Sequence, residues 1–457
     1  SNFNLIKKTV IILTFNLVVT PSSLRQHIRK MKSTLGIKHN WRNSPEEWLD
    51  EKRKHDGAEG LWRIHNGLYD LSDFISRHPG GKFWLQATEG MDVTEAFESH
   101  HISLKPDKLL PKYFVRKATT PRNSPFTFLE DGFYRTFKRK VRKVLVNVPV
   151  ESAMKTNVMV DGMFAGAILV GVLAAIHGTF ILAIVAGLIL GVCTVAAHSY
   201  YHRKDNFRMY YNDIALLPSR SWRIIHVLSH HGYTNSVADL QSYGFDPFVQ
   251  VYPCQKSTIY KALSILTPLT WPTFIPLIYF SRFNNWKTFV KNFTTVDLLP
   301  LVLPILFCVV SKQSVSTKLL IWAVMIAVSS FWFMMVGLVT NHINPDIFVD
   351  GDKPRSPHKV DWGTYQLDAV GDKTGVVNTH FLGLISFGDH GLHHLLPTLD
   401  HGAFQHLYPV FWETLKEFNL FLRVMRKRDM WVGYFDQLRR ETPNPNPPNL
   451  ATYGVNL

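Results

Sequence analysis

The chain of 457 residues carries 50 Lys and Arg against 35 Asp and Glu, a net charge of +15, with a hydrophobic fraction of 46%. That length exceeds one ordinary core and leaves room for two or three domains. Three scattered cysteines, Cys193, Cys254 and Cys308, exclude a disulfide framework or zinc ribbon, and long apolar runs flanked by basic residues make a membrane surface, not nucleic acid, the expected partner of the positive charge.

Residues 1–40 form an unassigned N-terminal extension, in which the apolar stretch Thr9 to Thr20 is too short to span a bilayer comfortably. Residues 41–118 have the mixed charged and apolar character of a compact soluble domain. Within it, Leu61 to His65 and Leu68 to Leu71 read as short strands about a tight Asn66-Gly67 turn, with Ser72 or Asp73 capping the helix that follows. That helix runs into His78-Pro79-Gly80-Gly81, where proline stops it and the two glycines let backbone pass close to a flat ligand. His100 and His101 lie twenty-two and twenty-three residues further on, after Asp92, Thr94, Ala96 and Phe97.

This block resembles cytochrome b5, a small α+β haem domain, over roughly eighty residues. The resemblance implies haem b held axially by two histidines, His78 and a second one that is His101 by its offset, with His100 as the adjacent rival. Two imidazoles leave no open iron position, so one-electron transfer is implied. Arg63 and its basic neighbours are expected on a solvated face.

Residues 119–130, opening with the proline-containing run Thr119 to Pro125, read as a linker. Residues 131–440 begin with the basic run Lys138, Arg139, Lys140, Arg142 and Lys143, which belongs on the cytosolic side. Four transmembrane helices are expected, at about 158–176, 179–197, 296–310 and 319–340, in an all-α membrane domain. The apolar run 263–280 carries Pro268, Pro272 and Pro276 and is expected to be interfacial or re-entrant. Residues 441–457 read as an extended tail.

Three histidine groups flank the expected spans: His198 and His202 as HxxxH, His226, His230 and His231 as HxxxHH, and His390, His393 and His394 as HxxHH. Spacings of three and four put imidazoles on one helix face, where they converge on metal. HxxxH is expected about once by chance in a chain this rich in histidine, but each triple group only roughly 0.04 times. His177, His380, His401 and His406 are taken as packed or hydrogen-bonded histidines.

Imidazole ligation alone does not choose among iron, copper, nickel and zinc. A fused one-electron donor suits a redox metal, and the ordered boxes resemble the membrane fatty-acid desaturase and hydroxylase superfamily over roughly Phe126 to Tyr434. The fused layout is similar to that of the insect-type cytochrome b5-related proteins and, more distantly, of desaturases with an N-terminal haem domain. The resemblance implies two iron ions in a di-iron centre that uses O2 to remove hydrogens from a lipid acyl or acyl-CoA chain. It implies NADH-cytochrome b5 reductase as electron donor and an endoplasmic-reticulum membrane with haem domain and boxes cytosolic. The eight box histidines carry over as ligands, with His342 as a ninth. Two departures stand out: Leu338 replaces the asparagine that holds a water near the metal in the stearoyl branch, and His390 replaces the glutamine that opens the third box of front-end desaturases. Hydroxylation on the same scaffold and a catalytically silent membrane haem carrier are the alternatives.

Overall fold

The computed structural model describes residues 33–40, 44–244, 246, 249–356 and 359–448, without the side chains of 338–340. The apolar stretch near the N-terminus, the Leu338 side chain and the last residues of the tail therefore lie outside the described part.

The first described helix, Pro45–His55, starts where Ser44 accepts a hydrogen bond from the Glu47 amide and Pro45 occupies the first helical position. It docks on the second half of the chain: the Trp48 indole donates to Ala238 O at 2.8 Å, and the Lys52 ammonium reaches the Tyr233 hydroxyl at 2.9 Å. Three antiparallel strands follow, Trp62–Ile64, Gly67–Tyr69 and Phe114–Lys117, the middle one pairing with both others. Directly after the second strand Asp70, not Ser72 or Asp73, closes the turn by accepting from the Ser72 amide and hydroxyl.

Two expectations for this region change. Arg63 is fully buried, not solvated; its guanidinium donates to the carbonyls of His65, Asp56, Pro121 and Thr120. Two of these carbonyls, on Thr120 and Pro121, belong to a segment distant in sequence, which periodicity cannot reveal. For the same reason 119–130 is not a loose tether. Arg122 pairs with Asp92 and Glu95, and Phe126–Thr127 forms a parallel pair with Val360–Asp361.

By length and composition four helical runs suffice to cross a membrane: Val150–His177, Phe180–His202, Thr258–Asn292 and Val315–Gly337, while Thr295–Val310 is shorter. In lipid such segments are helical because every backbone polar group must be satisfied internally. The first begins eight residues before the expected span, and its early polar groups, Ser152 and Thr156, meet His401–Glu417 and His380. Gly178, at φ 68°, then caps it in the left-handed conformation. Gly187 and Gly191 let Phe180–Ala197 approach Val315–Asn341 closely, since a Cβ on Gly187 would lie 2.6 Å from Met325 O. The outward sides of these helices expose Ile181, Leu169 and Leu320.

Length and packing treat the run after residue 257 differently. The long run 258–292 qualifies as a span by composition, yet near one end Ser264 and Thr267 bond Arg439 and Tyr434. Towards the other end Arg282 pairs with Asp297, whose helix packs on Tyr211–Ile214 beyond the first histidine group. The shorter Thr295–Val310 leads away from there, and the Ser311 hydroxyl donates to Ala175 O near the opposite end of the first long helix. Its prolines, Pro300 and Pro304, lie within helical turns that packing completes.

Candidate metal and haem centres

In the soluble domain His78 follows the short helix Ser72–Arg77, and His101 caps Thr94–His100. Their rings face each other with centroids 6.2 Å apart. Each ring is fixed through Nδ1, His78 on Gly81 O at 2.9 Å and His101 on Phe97 O at 3.0 Å. A carbonyl can only accept, so both Nδ1 atoms carry hydrogen and both Nε2 lone pairs are free to ligate. Gly81 sits at φ 99°, and a Cβ on Gly80 would lie 2.9 Å from the His78 ring. The glycines thus serve backbone direction and the histidine's own rotamer. Burial, with His78 nearby, pushes His101 down to about 4, which keeps it neutral. His100 turns the other way: its ring stacks on His202 at 5.9 Å and 27°.

The membrane half brings the three histidine groups and His342 into one buried cluster. Ligand atoms of His198, His202, His226 and His393 lie within 4.8 Å of one another, and those of His230, His342 and His394 form a second such group. His390 joins the second, its Nε2 2.7 Å from that of His342. His231 lies between the groups, its ring 4.3 Å from His202 and 4.0 Å from His394.

The helical geometry beneath these groups differs from the single face expected. His198–His202 is a 3-10 turn, Arg223–His230 is π-helical and only His390–Leu395 is regular α-helix. In the 3-10 turn residues four apart diverge by a third of a turn, so the His198 and His202 rings stand at 89° to each other. The π turn has the opposite effect and leaves His226 and His230 stacked at 20°. The two distortions thus present their histidine pairs differently, one splayed and one aligned.

A second layer orients the rings. Asp239 accepts from His230 Nδ1 at 2.9 Å, Gln241 meets His226 Nδ1 at 2.8 Å and Gln366 meets His394 Nδ1 at 2.9 Å. Backbone carbonyls do the same for His198 and His342. Burial would raise Asp239, but the His230 ring and the donors on Ser242 and Asn235 outweigh it and hold it low. None of Asp239, Gln241 and Gln366 is marked in the sequence, because a polar residue orienting a ligand has no fixed spacing from it.

Burial, reinforced by His230, pushes His226 down to about 3, and burial with neighbouring imidazoles holds His231, His342, His390, His393 and His394 well below the usual histidine range. All are neutral, the form that binds metal. Nitrogens of His202, His226, His231 and His394 are buried with no hydrogen-bond partner. Orphaned lone pairs so close together are costly unless cations receive them, so the donor set fits two imidazole-liking metal ions. His401, expected as a packed histidine, stands at the edge of this cluster, its ring 5.7 Å from His393 and both its nitrogens unpartnered. His380 bonds Thr156, and His406 lies beside Gln405. An apolar opening lined by Trp222, Phe333, Met334 and Phe387 reaches His226, His230, His342 and His390.

Residues 48–119 match the cytochrome b5-like haem/steroid binding domain, and residues 108–425 match the fatty acid desaturase family. The chain is 37% identical over 412 residues to the cytochrome b5-related protein of Drosophila melanogaster, covering 88% of this chain and 93% of that one. It is 26% identical over 419 residues to Delta(5) fatty acid desaturase A of Dictyostelium discoideum, covering 81% and 88%. The acyl-lipid (8-3)-desaturase of Mortierella alpina is 23% identical over 421 residues, covering 82% and 91%. No solved structure matches. The small-sheet haem domain, the long apolar helices and the clustered boxes thus have one common explanation: the chain belongs to the fatty acid desaturase family and carries a cytochrome b5-like domain fused ahead of its desaturase domain.

Proposed function

We propose that the chain is an oxygen-dependent desaturase of lipid-linked or CoA-linked acyl chains, working in the endoplasmic-reticulum membrane with both redox centres on the cytosolic face. The observation that carries this reading is the pair of buried imidazole groups one residue's reach from a two-histidine haem slot. His78 and His101 hold haem b. His198, His202, His226, His230, His231, His342, His390, His393 and His394 hold two iron ions. When bound, the irons supply the oxygen activation needed to remove two hydrogens from an unactivated methylene pair. The chain's own residues do the rest. Asp239, Gln241 and Gln366 hold the ligand tautomers, while Trp222, Phe333, Met334 and Phe387 form an apolar mouth that seats an acyl chain and excludes water. Thr258–Asn292 lies along the membrane surface on the site's side, and Thr295–Val310 is a crossing. NADH-cytochrome b5 reductase supplies the electrons to the haem.

The test is iron and haem content in detergent-purified full chain, followed by product analysis with lipid-linked and CoA-linked acyl chains, O2, NADH and the reductase. Two non-haem irons per haem and a product lighter by two hydrogens are expected. A product carrying an added oxygen would replace desaturation with hydroxylation, and no metal beyond the haem iron after reconstitution would end the proposal.

A further inference from the structure

Consecutive residues His100 and His101 serve opposite sides of one backbone turn. His101 faces His78 across the haem slot, whereas the His100 ring lies beside His202 of the first histidine box, centroids 5.9 Å apart and planes at 27°. His100 is held there through Nδ1, which donates to Ala96 O at 3.1 Å, and its Nε2 is buried without a partner. Trp84, 6.0 Å away ring to ring, covers it from the haem-domain side and itself packs against the Arg223 guanidinium at the start of the π-helical turn. The His100 and His202 ring centroids are 5.9 Å apart with planes at 27°, so covalent bonds and one short through-space step join the two centres.

We propose that His100 is the relay through which electrons leave the haem for the histidine-box metals. This rests on the function proposed above. In each transfer a ferrous haem iron becomes ferric and one ferric box iron becomes ferrous, so two transfers load the pair. No bond to His100 forms or breaks. The role is not ligation: His100 stands outside both groups of ligand atoms and points away from the haem slot.

The experiment uses the full chain loaded with haem and iron. The haem is reduced anaerobically, mixed with oxygen and a saturated acyl substrate, and followed by its absorbance as it reoxidises; the zinc-substituted protein gives the background. In His100→Leu the metal-dependent reoxidation is expected to slow by about tenfold or more, while the haem spectrum, its midpoint potential and the iron content stay those of the parent. His100→Phe, which keeps a flat ring against His202, is expected to retain most of the rate. A Leu variant as fast as the parent overturns the relay. So does a Phe variant as slow as the Leu one, or a Leu variant with an altered haem spectrum or a lost iron, which would make His100 a ligand. A parent with no metal-dependent reoxidation at all sinks the desaturase reading as well, whereas normal transfer in both parent and Leu variant sinks the relay alone.

Discussion

The haem pocket and the histidine-box cluster are both built from imidazoles, but they solve opposite problems. In the haem pocket two rings are held 6.2 Å apart, each pinned by a backbone carbonyl, so the protein itself defines a slot. In the box cluster rings crowd to contact, with His198 and His393 nitrogens 3.1 Å apart and several others orphaned. A slot for a rigid planar ligand needs only its two walls fixed. A site for bare cations needs many donors converging, and those donors destabilise one another until the charge arrives.

The largest effect should come from the crowded site. His393→Ala is expected to lower product formation at least about a thousandfold, about 4 kcal/mol of barrier, with less bound non-haem iron and an unchanged haem spectrum. Equal iron content in that variant would break the contrast. In the slot, His101→Ala is expected to abolish the two-histidine haem spectrum and His100→Ala to leave it intact, read by absorbance after haem titration; the reverse pattern would exchange their assignments.

The contrast also predicts where the two halves are clamped. Glu98 lies between His65, Arg135 and Lys138, whose ammonium approaches to 2.6 Å. Burial would raise its carboxyl, but the His65 hydrogen bond and the Lys138 and Arg135 cations outweigh that and hold it well below the usual carboxylate range. A depressed carboxylate contributes its stability above its unfolded value and loses it as pH falls through the folded one. Glu98→Gln should therefore cost about 3 kcal/mol at neutral pH, seen as a lower melting midpoint, and much less in strongly acidic solution. The smallest effect belongs to ligand orientation. Asp239→Asn is expected to weaken metal binding about tenfold, measured by competition with a chelator, with no change in the haem.

How far the sequence could be read depended on whether a residue's partner is local. The haem motif and the boxes are recognisable because ligands cluster at short spacings, and the long apolar helices because lipid leaves the backbone few choices. Arg63 and Arg122 are not legible in the sequence because their partners include distant carbonyls and carboxylates, which turn an apparent solvated face and linker into buried joints. His401 and Asp239 carried no signal of their own, since neither belongs to a repeated spacing. Helix type was equally hidden: HxxxH reads the same in 3-10, α and π turns.

The π-helical turn at Arg223–His230 has a consequence for how this chain can change. An i→i+5 turn is an α-helix carrying one residue too many. Deleting a single residue there, such as Ser229, would let the segment relax into ordinary α-helix, a gain in local regularity. The same deletion would leave His226 and His230 three residues apart on an α-helix, about a sixth of a turn out of line, where they now stack at 20°. Selection for stability alone would therefore favour a shorter, more regular helix over the aligned imidazole pair, so the irregularity marks a segment kept for its side chains and not for its backbone.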